Sequence, residues 1–351
     1  MQTFRALERH LGLIPASVAQ QLGAIDVGRG RQQAFRLQHP EVLETLRQIA
    51  VIQSVVASNA IEQITAPRTR IEKLVAERTD PANRSEEEIA GYRTVLATIH
   101  ASAQAMPFTP NVVLQLHRDL YRFTGVRGGG WKGSDNTVTE TLPTGEVLVR
   151  FVPVSAFHTG GAMNELHQRF VLAWEAQTYP RLLLIAAYVL DFLVIHPFQD
   201  GNGRMARLLA LLLLYQADYE VGRYISLEKL IEESKETYYE SLARSTDGWH
   251  EGTHDLRPWV AYFLGVLVAA YGRFEERVGS VSGRGSKAEL VKAFIRSNIS
   301  DTFTVADIRR AVPGVSDSYL WRLFGELKRE GAIERIGAGR GSAWRRRRVD
   351  F

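Results

Sequence analysis

Hydrophobic residues between Glu41 and Ile64 recur at mostly helical spacing, with Leu43, Leu46, Ile49, Ile52 and Val55/Val56 forming a stripe and Pro67 lying beyond it. The spacing predicts a helix that ends near Ile61 or Glu62. Ser85-Glu-Glu-Glu puts acidic residues where a helix N-terminus favours them, and Tyr92, Val95, Leu96 and Ile99 supply an apolar face, so a second helix starts there. A third begins after Pro110 and runs to about Phe123. The rhythm then changes. Thr137-Val-Thr-Glu and Val147-Leu-Val-Arg-Phe-Val152 flank Pro143-Thr-Gly145, which predicts two short strands around a turn, a hairpin flap. Helical patterns resume over 161–175 and 181–195, again after Gly203, and over 226–245 and 258–277. No individual element is delimited before Glu41.

Gly279-Ser-Val-Ser-Gly-Arg-Gly-Ser286 has the composition of a linker. Beyond it, three short helical patterns at 288–297, 305–311 and 317–330 precede two extended stretches, Ala332-Ile-Glu-Arg-Ile and Ser342-Ala-Trp-Arg, around a Gly-rich turn. That order predicts a winged helix-turn-helix. The domain expectation is an N-terminal helical region (1–85), a core (86–278), a linker (279–286) and a winged-helix domain (287–351). The fold class is mainly α with one small β-hairpin.

Charge sharpens this division. Residues 286–351 carry 14 Lys and Arg against 8 Asp and Glu, while the remaining chain carries 29 against 31, so the basic character lies in the C-terminal part. Tyr319 and Arg322 on the expected recognition helix, with Arg345, Arg346, Arg347 and Arg348 beyond it, are candidates for duplex DNA. Alternatively Trp321, Leu323 and Phe324 pack a small domain used for protein contact or homodimer formation, and the arginine run is a solvated tail.

The chain has no cysteine, which excludes disulfide scaffolds and thiolate chemistry and fits a reducing, cytoplasmic setting. Its first residues lack the apolar core of a secretory signal, and the most apolar run, 182–195, is 14 residues long and contains Asp191. That run is short of the roughly 20 residues that cross a bilayer, so no membrane partner is expected.

The chemistry concentrates in His196-Pro-Phe-Gln-Asp200-Gly-Asn-Gly-Arg204-Met-Ala-Arg207. The segment joins two leucine-rich helices, so its polar residues sit in a loop between buried elements. Backbone amides at the start of the second helix, with its dipole, make an anion site. Arg204 and Arg207, three apart, can grip phosphates together. Asp200 offers magnesium a hard oxygen ligand, and His196 can take a proton at neutral pH. Taken singly, each residue could be a helix cap or a surface ion pair.

Eight fixed identities within twelve positions are a different matter. The segment resembles the Fic family signature HPFx(D/E)GNGRxxR at every defined position, and the likeness spans roughly residues 40–275, hairpin included. The resemblance implies a Fic-type helical core and transfer of AMP from ATP to a Ser, Thr or Tyr hydroxyl of a target protein or of the enzyme itself, with Mg²⁺. It assigns His196 as general base, Asp200 to Mg²⁺, Asn202 with the Gly201 and Gly203 amides to the α-phosphate, and Arg204 and Arg207 to the outer phosphates. Ser58-Asn-Ala-Ile-Glu62 resembles the inhibitory pattern [S/T]xxxE[G/N], in which the glutamate pairs with the second signature arginine, here Arg207. Gln63 departs from that pattern's Gly or Asn. The same site composition serves family members that transfer other phosphate-containing groups or remove AMP, and a regulator carrying a Fic module is the reading from a different class.

Two other motifs are set aside. His250-Glu-Gly-Thr-His254 matches HExxH, but Gly248, Gly252 and Pro258 make the required helix improbable. Gly337-Ala-Gly-Arg-Gly-Ser342 lacks a P-loop ending and fits a wing tip.

Overall fold

Before Glu41, where the hydrophobic pattern delimits no individual element, the chain is helical: α1 (Gln2–Arg5), α2 (Leu7–Leu11) and α3 (Ala16–Gln38). The structure, a computed structural model, describes residues 1–38, 40–77, 79–141, 147–279, 286–297, 302–312, 315–337 and 343–347. Gly23, Gly28 and Gly30 and a scatter of glutamines hide the period of α3. Tertiary contact overrides their poor propensity. A Cβ at Gly28 would come within 2.7 Å of the Tyr271 side chain, so that glycine lets α3 lie close against a later helix.

α4 (Pro40–Ile61) ends where the pattern predicts, and α5 (Arg68–Val75) follows. α6 (Arg84–Ser102) is capped by Asn83, whose side chain accepts from the Glu86 amide, and α7 (Pro110–Leu120) by Thr109, with Pro110 in the first turn. β1 (Val138–Thr141) and β2 (Val147–Phe151) pair antiparallel, Thr139 opposite Val149 and Thr141 opposite Val147. The predicted turn at 143–145 lies outside the described residues. Phe151 stacks on His250 with centroids 5.3 Å apart, and His250 Nε2 donates to the Val152 carbonyl, which pins the hairpin to the body.

α8 (Ala156–Ala176), α9 (Arg181–Ile195) and α10 (Asn202–Gln216) form the centre. α9 is apolar around its whole circumference and buried, as such a helix must be. Its buried charge, Asp191, accepts from Thr3 Oγ1 and Trp249 Nε1, each at 2.6 Å. A buried carboxylate thus ties α1 and a distant loop to the core. The pattern over 226–245 divides at Ser234 into α11 (Leu227–Glu233) and α12 (Lys235–Thr246), and α13 (Arg257–Gly279) packs along α3.

Next come α14 (Ser286–Ser297), β3 (Thr302–Phe303), α15 (Val305–Ala311), α16 (Asp317–Arg329), β4 (Ile333–Ile336) and β5 (Ala343–Arg346). A capping box at Thr304 and Asp307 starts α15. The sequence predicts a two-stranded hairpin here; the sheet has three strands in the order β3-β5-β4, because Phe303 pairs opposite Trp344. Phe303, Phe324 and Trp344 fill the core beneath it, and Trp321, 45% exposed, packs one side of its ring against Phe324 and Trp344. The linker stretch 280–285 and most of the wing turn lie outside the described residues. Among the described residues no helix is long and apolar enough to cross a membrane.

Candidate active site

α9 stops because His196 turns left-handed, with φ 52°, and Pro197 cannot continue the helix. The amide of His196 still bonds the Phe192 carbonyl, so the imidazole is held at the helix end. Its Nδ1 donates to the Leu193 carbonyl at 3.1 Å, which leaves Nε2 as the free lone pair. Burial lowers its pKa from 6.5 to about 4, against the raising effect of the Leu193 carbonyl. The ring is therefore neutral near pH 7 and able to accept a proton.

α10 starts at Asn202 after Gly201, whose φ of 81° suits glycine. The amides of its first turn have no intrahelical acceptors, and with the helix dipole they face an anion position. Asp200 is exposed, and its Oδ1 accepts from the Gly201 amide at 2.6 Å. The Tyr121 hydroxyl also hydrogen-bonds this carboxylate, and an exposed carboxylate here fits the single hard ligand that magnesium takes beside phosphate oxygens and water.

Asn202, which the resemblance assigns to the α-phosphate, uses its amide differently. Oδ1 accepts from the Phe198 amide at 2.9 Å and Nδ2 donates to the Phe198 carbonyl at 2.8 Å, so the side chain clasps the loop into shape.

Arg204 and Arg207 also part company. A three-residue step along a helix turns about 300°, roughly 60° short of a full circle, enough to give the two guanidinium groups different neighbours. Arg204 is 1% exposed, pairs with Glu88 at 2.8 Å and donates to the Tyr121 hydroxyl at 2.9 Å. Its place is between α6 and α7. Arg207 turns to α4: Nε donates to Ser58 Oγ at 2.9 Å, and Nη2 donates to the Ser58 carbonyl and to Glu62 Oε1, both at 2.8 Å. Nη1 has no hydrogen-bond partner.

Glu62 thus occupies the position that the sequence pattern assigns it. A Cβ added at Gly203 would collide with the Glu62 carboxylate, so that carboxylate rests on the first turn of α10, where an anion would bind. Gln63 holds a left-handed φ of 61°, so the departure from Gly or Asn keeps the helix-ending geometry, at a conformational cost of about 1 kcal/mol. Behind Ser58, buried Glu228 accepts from Tyr92 at 2.9 Å and Ser54 at 2.6 Å, joining α11 to α6 and α4.

The sequence reading missed the groups that hold the loop from outside. The Lys132 amide donates to the Pro197 carbonyl at 2.8 Å, and its buried ammonium donates to the Ile195 carbonyl at 3.2 Å and Asn136 Oδ1 at 2.8 Å. Asn136 Nδ2 in turn donates to the Phe198 carbonyl at 3.0 Å. Burial lowers the Lys132 pKa to about 8. His117 accepts from the Gly129 amide through Nδ1, so Nε2 carries the proton and donates to the Asp200 carbonyl at 3.1 Å. Its ring lies 3.6 Å from that of Phe198. Neither residue stands in a recognisable motif.

In the C-terminal elements Arg322 is exposed on α16 with its guanidinium 5.1 Å from the Tyr319 ring. The arginine run is not a free tail. Arg345 and Arg347 pair with Glu334, at 3.3 and 2.5 Å, and Arg346 donates to the carbonyls of Ile295 and Arg296. Arg348 lies outside the described residues. His250 and His254 stand in a turn rather than on a helix, and among the described residues no group of three His, Asp or Glu side chains could hold a metal ion.

Among known proteins, the model of the Fic/DOC family matches residues 107–214. Similar solved structures include a Fic family protein from Desulfovibrio desulfuricans, 20% identical with a TM-score of 0.62, covering 95% of this chain and 97% of that one. A Fic domain containing signaling protein from Bacteroides thetaiotaomicron is 22% identical over 73% of this chain and 94% of its own, with a TM-score of 0.58. Fic-1 from C. elegans is 20% identical over 74% and 73%, with a TM-score of 0.56. At these identities the structures establish likeness of fold. No curated protein matches the chain.

Proposed function

Because residues 107–214 form a Fic/DOC family domain, we propose that the protein transfers AMP from ATP to a Ser, Thr or Tyr hydroxyl of a protein, itself included, and that Glu62 restrains the reaction. The observation that carries this reading is His196: a neutral imidazole with Nδ1–H committed to Leu193 and Nε2 free, on the loop that leads into the anion-binding first turn of α10. Nε2 takes the proton of the acceptor hydroxyl as its oxygen bonds the α-phosphorus. The α–β phosphoanhydride bond breaks, and pyrophosphate leaves. Mg²⁺, when bound, neutralises charge on the phosphates; Asp200 would hold it. The first-turn amides of α10 orient the α-phosphate, and Arg207 Nη1 has a donor to spare for an outer phosphate.

Mass spectrometry of the Glu62→Gly protein incubated with MgATP tests the reading. A mass gain of one AMP on the protein, absent in Glu62→Gly/His196→Ala, is the expected result. A different added group assigns another transfer. No added group on the enzyme or on proteins of a bacterial lysate overturns the proposal.

A second reading concerns the C-terminal elements, where exposed Arg322 and half-buried Tyr319 on α16 suit a DNA major groove. Binding to duplex DNA that Arg322→Ala weakens and salt suppresses would support it; salt-independent or absent binding would refute it.

A further inference from the structure

Beside the reacting loop, and apart from the Glu62–Arg207 contact, lies a cleft of about 1350 Å³ walled by α7 on one side and the segment 121–133 on the other. It reaches the candidate active site at Asp200 and Lys132. Four arginines line it, Arg84, Arg118, Arg122 and Arg127, against the carboxylates of Asp119 and Asp200. Arg84 pairs with Glu88 and Arg118 with Asp119. Arg122 and Arg127 are exposed and, among the described residues, have no carboxylate partner.

The glycines nearby explain how the wall is built. A Cβ at Gly128 would come within 2.7 Å of the His117 carbonyl, and one at Gly129, where φ is 86°, within 2.8 Å of Arg118 Cβ. Only glycine lets this backbone lie on α7, which holds this wall of the cleft in place. The two unpaired cations therefore stand on a fixed wall rather than a free loop. They are also out of keeping with their surroundings, since residues 1–285 carry 29 Lys and Arg against 31 Asp and Glu.

We propose that this cleft docks an acidic segment of the acceptor protein, with carboxylates of that segment on Arg122 and Arg127. The identity of the segment as part of an acceptor rests on the transfer reading above; the preference for an acidic polypeptide does not. The cleft's volume of about 1350 Å³ admits several residues, and its lining includes Gln199 and Asp200 of the loop that carries His196. Charge complementarity at such a site raises the encounter rate and selects acceptors whose hydroxyl is accompanied by acidic residues.

The test is binding of a dye-labelled oligoglutamate peptide to the full chain, followed by fluorescence anisotropy at low and physiological salt. Saturable binding that salt weakens and that Arg122→Glu/Arg127→Glu reduces by about tenfold or more is the expected result. An unchanged melting temperature would show the variant folded. Binding that the double reversal leaves intact, or no binding beyond that of an oligolysine control, overturns the proposal. Loss of duplex DNA binding, but not peptide binding, on the same reversal would assign the cleft to nucleic acid and overturn it too. Because His196→Ala protein should bind the peptide as wild type does, failure of AMP transfer and failure of docking are separate outcomes.

Discussion

Glu62 Oε1 and Arg207 Nη2 stand 2.8 Å apart, with the carboxylate resting on the first turn of α10 at Gly203. One anion therefore already uses the guanidinium and the helix end that, on the proposed reading, an outer phosphate of ATP would need.

Replacing Glu62 by Gly should raise self-transfer by about tenfold or more, since one charge-assisted contact is worth about 1.5–3 kcal/mol and each 1.4 kcal/mol is a factor of ten. Arg207→Ala should not mimic it, because it removes the restraint and the phosphate donor together. Transfer measured with labelled ATP across a range of concentrations decides the matter; equal rates for wild type and Glu62→Gly would remove Glu62 from regulation.

Gly203→Ala should change sign with its background. In wild type the added methyl meets the Glu62 carboxylate, and the protein should lose stability by about 1–3 kcal/mol through overpacking. In Glu62→Gly protein that collision is gone, and Ala in a helical position should stabilise by about 0.5–1 kcal/mol. A urea-denaturation cycle of the four proteins measures the coupling. Equal effects in both backgrounds would mean that the carboxylate does not rest there.

Lys132→Met removes the ammonium that bonds the Ile195 carbonyl and Asn136. In the Glu62→Gly background it should cut transfer about tenfold or more while nucleotide affinity changes little, because the loop carrying His196 loses its outer tie. Lys132→Arg should restore part of the rate. A fall in nucleotide affinity as large as the fall in rate would place Lys132 in binding rather than positioning.

Acid should destabilise the fold before its carboxylates titrate. Burial lowers the pKa of His10, His117, His167, His196 and His254 to about 4 and of His100 to about 3. The folded protein keeps these rings neutral while the unfolded chain protonates them near 6.5, so the unfolded state binds more protons between about pH 6.5 and 4. Stability is fully present above that window and falls through it as pH drops. Melting temperatures should be level from pH 8 to 7 and decline steeply below about 6; a level profile down to pH 5 would contradict the buried, neutral histidines.

Sequence alone determined the helical body, the hairpin and the polar segment between α9 and α10, because each is written in local terms: period, turn residues, and a run of fixed identities. It also placed Glu62 opposite Arg207, through a motif whose geometry survives Gln63 in a left-handed turn. Only the tertiary structure decided which side chain does what. Arg204 turned to Glu88 because a three-residue step rotates it toward α6, and Asn202 turned inward because the Phe198 backbone groups needed partners. α3 became helical through contact with α13, against its glycines. Lys132, His117 and Asn136 act on carbonyls more than sixty residues away, and a hydrogen bond to a distant backbone leaves no periodicity or spacing in the chain to read.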